Sequence, residues 1–155
     1  MNEKSPTGKV VVSSAGPLDA ELVLIGESPA EQEVWEGVPF VGKSGKLLNN
    51  VLRHNGLDRT KIRLMNLVPV RAPGDKFAAH DPLDIEWSRI RLAAELSSLA
   101  NAKVFVALGA NPAEWLLGGK PPVANYGTRD KEAFISQWRG SVIPVNQVNA
   151  IPKKK

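Results

Sequence analysis

Hydrophobic positions along this chain alternate between short unbroken runs and helical spacings. Leu22, Val23, Leu24 and Ile25 form an apolar run that ends at Gly26. A run that short, with no polar alternation, predicts a strand buried on both faces. Ile62 to Val68 predicts a second strand, interrupted only by Arg63 and Asn66, and Lys103 to Leu108 a third that ends at Gly109. Between the runs the period becomes helical. From Lys43 onward, Leu47, Leu48, Val51 and Leu52 share one face, and Gly56 fits the stop signal after the last turn. Asp81-Pro82 offers a cap and a first helical residue. Leu83, Trp87, Ile90 and Ala94 then keep the spacing of a core-facing stripe to about Ala100. Asn111-Pro112 repeats that start, with Glu114 placed to complete a capping box, for a short helix ending at Gly118-Gly119. Weaker signals predict an edge strand at Val10–Val12, a helical piece through Phe134 and Trp138, and a strand at Ser141–Val145. Met1 to Gly8 reads as a loose end and Pro121 to Asp130 as an irregular loop.

The order strand–helix–strand–helix–strand–helix predicts an α/β fold, a parallel sheet covered on both sides with right-handed crossovers. Ligands of such sheets sit beyond the carboxyl ends of the strands. That places Gly26, Glu27, Ser28 and Pro29 at the edge of a site. A length of 155 residues fits one domain over 1–155 with a single well-buried core. No apolar run reaches membrane-spanning length and the polar amino terminus lacks signal-peptide shape, so the expectation is a soluble, cytoplasmic protein. The absence of cysteine excludes disulfides, cysteine-ligated zinc and thiolate-held iron–sulfur clusters. His54 and His80 stand alone, and no metal-ligand spacing appears. The net charge of +4 says little about partners, because Lys153, Lys154 and Lys155 supply three of those charges in a solvated tail.

Gly37 to Ser44 reads G-V-P-F-V-G-K-S, a literal match to the P-loop expression. A working P-loop leaves a strand directly and cradles phosphate with consecutive backbone amides. Here Glu33, Val34, Trp35 and Glu36 precede it, which do not read as a buried strand, and Pro39 removes one amide. Glu31, Glu33 and Glu36 would also repel a triphosphate. A P-loop nucleotide-binding protein is therefore the runner-up enzyme class.

The whole segment has a better match. G-E-S-P-A-E-Q-E (Gly26 to Glu33) followed by P-F-V-G-K-S-G-K-L-L (Pro39 to Leu48) resembles the uracil-DNA glycosylase superfamily. The nearest branch is the family-4 type, with G-E-x-P-G-x-x-E and then P-F-V-G-x-A-G-x-L-L. The likeness continues through M-N-L-V-P-V-R-A-P (Met65 to Pro73), A-L-G-A (Ala107 to Ala110) and W-R-G (Trp138 to Gly140), in the family's order over most of the chain. It implies a three-layer α/β/α sandwich around a small, mostly parallel sheet, and base excision from uracil-containing DNA, single- or double-stranded. Two departures stand out. Ala30 occupies a family glycine, and Val70 occupies a position of the four-cysteine iron–sulfur cluster typical of the branch, whose amino-terminal pair has no counterpart. No cofactor is expected.

A glycosylase takes a base out of the helix, holds its face and edge, and stabilises the departing anion. The resemblance makes Phe40 the ring stacked on that base and Asn66 the amide that meets its O4 and N3–H edge with one donor and one acceptor. Without the family pattern, Phe40 would read as core and Asn66 as an amide with a buried structural partner. Glu27 becomes the residue that positions water or acts as base, with Gly26 and Ser28 beside it. Lys43, Ser44 and Lys46 open a helix suited to a DNA phosphate, and Arg71 and Lys76 follow Asn66 in a loop that can add to that grip.

One family element is missing. The late H-P-S or H-P-A triplet, whose histidine bonds the uracil O2, does not occur. Either Val142 to Asn149 replaces it with Gln147 at the histidine position, or the chain ends at Lys155 before that strand; the hairpin-like V-N-Q-V-N-A-I-P-K-K-K favours the second. Losing one preorganised donor costs about two to three orders of magnitude in rate. The reading is a glycosylase-type hydrolase of weak or lost activity, with a non-catalytic relative that binds DNA or a repair or replication protein as the alternative.

Overall fold

The computed structural model of the protein describes residues 3–118 and the strand at 140–144. In chain order the elements are β1 (Leu22–Gly26), α1 (Glu31–Glu36), α2 (Lys43–His54), β2 (Arg63–Asn66), α3 (Pro82–Ser97), β3 (Val104–Leu108), α4 (Ala110–Leu117) and β4 (Gly140–Pro144). The sheet runs β2-β1-β3-β4. β1 lies parallel to both β2 and β3, with Gly26 opposite Asn66 and Leu22 opposite Val104. β4 is antiparallel to β3, so the strand expected at Ser141–Val145 forms one residue earlier and closes a mostly parallel sheet.

Side chains of a strand alternate between faces, and here the alternation sorts two cores. Val23, Ile25, Met65, Phe105 and Ala107 pack with Leu92 and Leu96 of α3 and with Ala113 and Leu116 of α4. Leu24, Leu64 and Val106 face the other way, onto Phe40 and onto Leu48 and Leu52 of α2. The result is the three-layer α/β/α sandwich. Each fully buried Leu, Ile, Val or Phe contributes about 1.5–3 kcal/mol. The chain leaves β1 for β2 by way of α2, then crosses back past β1 to β3 by way of α3 on the opposite face. Its connections therefore diverge at the carboxyl ends of β1 and β3, where such sheets open a binding crevice.

Three expectations fail for physical reasons. The stripe Leu83, Trp87, Ile90, Ala94 is not the buried face of α3. Leu83 and Ile90 are 63% and 66% exposed, whereas Asp84, Ser88, Leu92 and Leu96 are buried. Both sides of this helix carry apolar residues, so periodicity could not choose between them. Trp87, half-buried, is covered by the Arg91 guanidinium 5.2 Å from its ring centre. The amino-terminal segment is not loose within the described residues. Lys4 bridges Val10, and Thr7 Oγ1 donates to the fully buried Asp84 carboxylate at 2.6 Å. Burial alone would raise the Asp84 pKa, but the hydroxyls of Thr7 and Ser5, the Thr7 amide and the Lys9 charge hold it below the ordinary carboxylate value. Nor is Val10–Val12 a strand. The segment makes isolated bridges, at Val10 and again where Ala15 meets Leu64 on the outer side of β2. Phe134 to Trp138 and Pro121 to Asp130 lie outside the described residues.

Candidate functional site

β1 and β2 end together. Beyond the last paired residues the ladder is prolonged by two amides, Leu67 N–H to the Gly26 carbonyl at 2.7 Å and Val68 N–H to the Glu27 carbonyl at 2.9 Å. This fixes Glu27 relative to Asn66. Beside them opens a cleft of about 260 Å³ lined by Gly26, Glu27, Ser28, Phe40, Ser44 and Asn66 among others.

Phe40 and Asn66 converge at Gly26. A Cβ on that glycine would lie 2.7 Å from Phe40 Cζ and 2.8 Å from Asn66 Oδ1, so only glycine leaves both groups in place. Asn66, 9% exposed, has no side-chain hydrogen bond to any described residue. The Phe40 ring belongs to the core under α2 and also lines the cleft.

The turn that carries Phe40 is held under strain. Its φ of 56° lies in the left-handed region, where a bulky residue costs of order 1–3 kcal/mol. Arg59 supplies the first clamp. Its guanidinium donates to the carbonyls of Phe40 at 2.8 Å and Pro39 at 2.9 Å, and to Asn49 Oδ1 at 2.6 Å. Buried Glu33 supplies the second. One carboxylate oxygen accepts Ala30 N–H at 2.9 Å, and the other accepts Val41 N–H at 2.9 Å and Gly42 N–H at 2.6 Å. Burial pushes the Glu33 pKa up, yet these amides outweigh it and leave the pKa below the ordinary value. Gly45 completes the seat, since a Cβ there would drive into the Phe40 carbonyl.

The same bonds dispose of the P-loop. Gly37 caps the end of α1, a helix the sequence did not announce, and no strand feeds it. Two amides a phosphate would need, those of Val41 and Gly42, are taken by Glu33. Ala30 is exposed, with φ −109°, so its methyl group is accommodated where the family pattern has glycine.

Glu27 reaches the cleft from the end of β1, and its Oε2 accepts Asn111 Nδ2–H at 2.8 Å. The expected cap at Asn111 is thereby corrected. α4 starts two residues earlier, with Gly109 (φ 119°) before it, and Asn111 lies within the first turn. Ser28 Oγ sits 2.8 Å from His80 Nε2. Of the phosphate candidates, Ser44 lines the cleft, and Lys43 and Lys46 are exposed on the first turn of α2. Lys76 is exposed in the loop after Asn66, and Arg71 is held by Asp75 at 2.8 Å and Glu31 at 3.7 Å. Sequence reading missed the supporting residues Glu33, Arg59, His80 and Asn111. Glu33 stood inside a quoted motif; nothing local signals the roles of the others, because their partners lie 10 to 84 positions away.

An iron–sulfur cluster does not fit these residues. Val70 is fully buried in the apolar core that also holds Val11 and Leu92. No three His, Cys, Asp or Glu side chains among the described residues gather as a metal site. No described helix is long and apolar enough to cross a membrane. Gln147, the alternative to the missing histidine, lies outside the described residues.

Residues 13–151 match the family model of the Uracil DNA glycosylase superfamily. Over 110 residues the chain is 36% identical to a Thermotoga maritima protein named Type-4 uracil-DNA glycosylase, covering 71% of this chain and 56% of that one. A protein of the same name from Archaeoglobus fulgidus is 32% identical over 105 residues, 68% of this chain and 51% of its own. Another, from Saccharolobus solfataricus, is 40% identical over 76 residues, 48% of this chain and 35% of its own. The chain thus spans about half the length of the first two curated relatives it matches.

Proposed function

The chain belongs to the uracil-DNA glycosylase superfamily, and from that premise we propose that it holds a uracil turned out of DNA and hydrolyses its N-glycosidic bond. The convergence of Phe40 and Asn66 on Gly26 carries this reading. The ring takes the face of the base. The amide, which has no described protein partner, takes the O4 and N3–H edge, where cytosine would present a donor and an acceptor in the opposite order.

Glu27 supplies the hydrolytic side of the cleft. Asn111 anchors one carboxylate oxygen, and the other orients a water toward the sugar carbon while the negative charge offsets the cation developing there. The bond from that carbon to the base nitrogen breaks with its electron pair on uracil. Water's oxygen bonds the carbon, the proton it sheds passes by way of Glu27 to the uracil anion, and the products are free uracil and an abasic site. Lys43, Ser44 and Lys46 at the start of α2, with Lys76 and Arg71, hold the flanking phosphates; Arg71 does so only by exchanging Asp75 for the DNA.

These 155 residues hold no His-Pro-Ser triplet. Single-turnover excision from a single-stranded oligonucleotide bearing one uracil, with protein in excess, tests the reading. Asn66→Ala and Phe40→Ala should each lower the rate at least about tenfold, and a thymine control should stay intact. Excision indifferent to both substitutions, or binding of uracil DNA no tighter than thymine DNA, would overturn it.

A further inference from the structure

His80 lies where neither the fold nor the proposed chemistry asks for a histidine. It is 7% exposed, and its ring stands edge-on to Phe77 with centroids 5.2 Å apart. Nε2 is 2.8 Å from Ser28 Oγ, and buried Nδ1 has no hydrogen-bond partner among the described residues. Ser28 is half-buried and lines the cleft between Glu27 and Asn66.

The orphaned nitrogen decides the tautomer. A neutral imidazole carries one N–H and one bare lone pair. If the proton sat on Nδ1, a buried donor would go unpaired at a cost of about 1–3 kcal/mol. With the proton on Nε2, only a lone pair is left unmet and the N–H has its acceptor in Ser28. The charged form would leave the same Nδ1 donor stranded. Burial first, then the Lys9 charge, holds the His80 pKa below the usual imidazole value, against the opposing pull of Asp84. A serine oxygen that accepts from His80 must aim its own O–H elsewhere, and the open side is the cleft.

We propose that His80 is a positioning residue: its Nε2–H fixes the Ser28 hydroxyl so that Ser28 donates to a carbonyl oxygen of the base held between Phe40 and Asn66. This rests on the proposed glycosylase reaction. It gives the cleft an oxyanion donor contributed by β1's own loop. Ser28 is the group that touches substrate, and His80 acts through it.

The experiment combines imidazole ¹⁵N spectra of the whole chain at neutral pH with single-turnover uracil excision by four variants. His54, exposed near the end of α2, serves as the internal reference. His80 should appear as the neutral Nε2–H tautomer. Ser28→Ala should lower the chemical step about 10²-fold with little change in affinity for uracil DNA. His80→Phe frees the hydroxyl to rotate among three staggered positions and should cost about three- to tenfold. His80→Gln, which returns a donor near Nε2, should recover most of that loss. The double variant should be no slower than Ser28→Ala alone. An Nδ1–H or charged ring, a silent Ser28→Ala, additive losses or no rescue by glutamine would each overturn the proposal. Excision that requires Asn66 but ignores Ser28 sinks this inference alone. If nothing is excised by the parent chain, the reaction itself fails, and the tautomer still decides whether His80 holds Ser28.

Discussion

Glu33→Gln changes one atom type at the centre of the loop that presents Phe40. The native carboxylate satisfies three amides, Ala30 through one oxygen and Val41 and Gly42 through the other. Glutamine has one acceptor oxygen. Pointed at Val41 and Gly42, it sets its own NH₂ against the Ala30 N–H, donor to donor. A hydrogen bond to a charged group contributes about 1.5–3 kcal/mol, and the two surviving bonds weaken as the charge disappears. The expected loss is about 2–3 kcal/mol. Glu33→Ala removes all three bonds but lets water reach the half-buried Val41 and Gly42 amides, so about 3–4 kcal/mol is expected. Either variant leaves the Arg59 clamp without its counterpart in holding Phe40 at φ 56°, and relaxing that strain recovers about 1–3 kcal/mol. Affinity for uracil DNA should therefore fall further than stability does. Urea unfolding and fluorescence anisotropy on the same preparations give the two numbers. The pH dependence supplies a sign. With its folded pKa below the ordinary 4.5, Glu33 contributes fully above the unfolded pKa. That contribution disappears as pH falls through the folded one, so the stability gap between parent and Glu33→Gln should close on acidification. A glutamine variant within about 0.5 kcal/mol of the parent at neutral pH, with unchanged affinity, refutes the reasoning.

Two further expectations follow from the geometry. Asn111→Ala releases Glu27 from its anchor and should lower single-turnover excision about tenfold with little effect on DNA affinity; an unchanged rate means the carboxylate is positioned by something else. Asp84→Ala unhooks Thr7 from α3 and should cost about 2–3 kcal/mol in urea unfolding at neutral pH. Because the folded pKa of Asp84 lies below 3.8, that difference should shrink as pH drops through the folded value.

Where short-range chemistry decides, the sequence was legible. The apolar runs at Leu22 and Lys103, the Asp81-Pro82 start and the Leu48–Leu52 face all appear in place, because two-sided burial, caps and helical stripes are written locally. The glycosylase resemblance named Phe40, Asn66, Glu27 and Ser28, and the structure brings all four to one cleft. Partners far apart in the chain were not legible. α3 turned its other side inward because Ser5 and Thr7 supply hydroxyls for Asp84, and nothing near residue 84 announces that. Asn111 looked like a cap because an Asn-Pro pair ordinarily is one, yet its amide is taken by a carboxylate 84 positions earlier.

Glu33 also bears on what the protein ignores. Anions abound around any such chain, and a turn whose letters spell a phosphate binder would be expected to collect them. Here the amides at Val41 and Gly42 are already occupied by a tethered carboxylate, which a free nucleotide would have to displace before it could bind them. The molecule carries its own resident counter-ion. Selectivity against triphosphates is thus settled when the chain folds, before any ligand arrives.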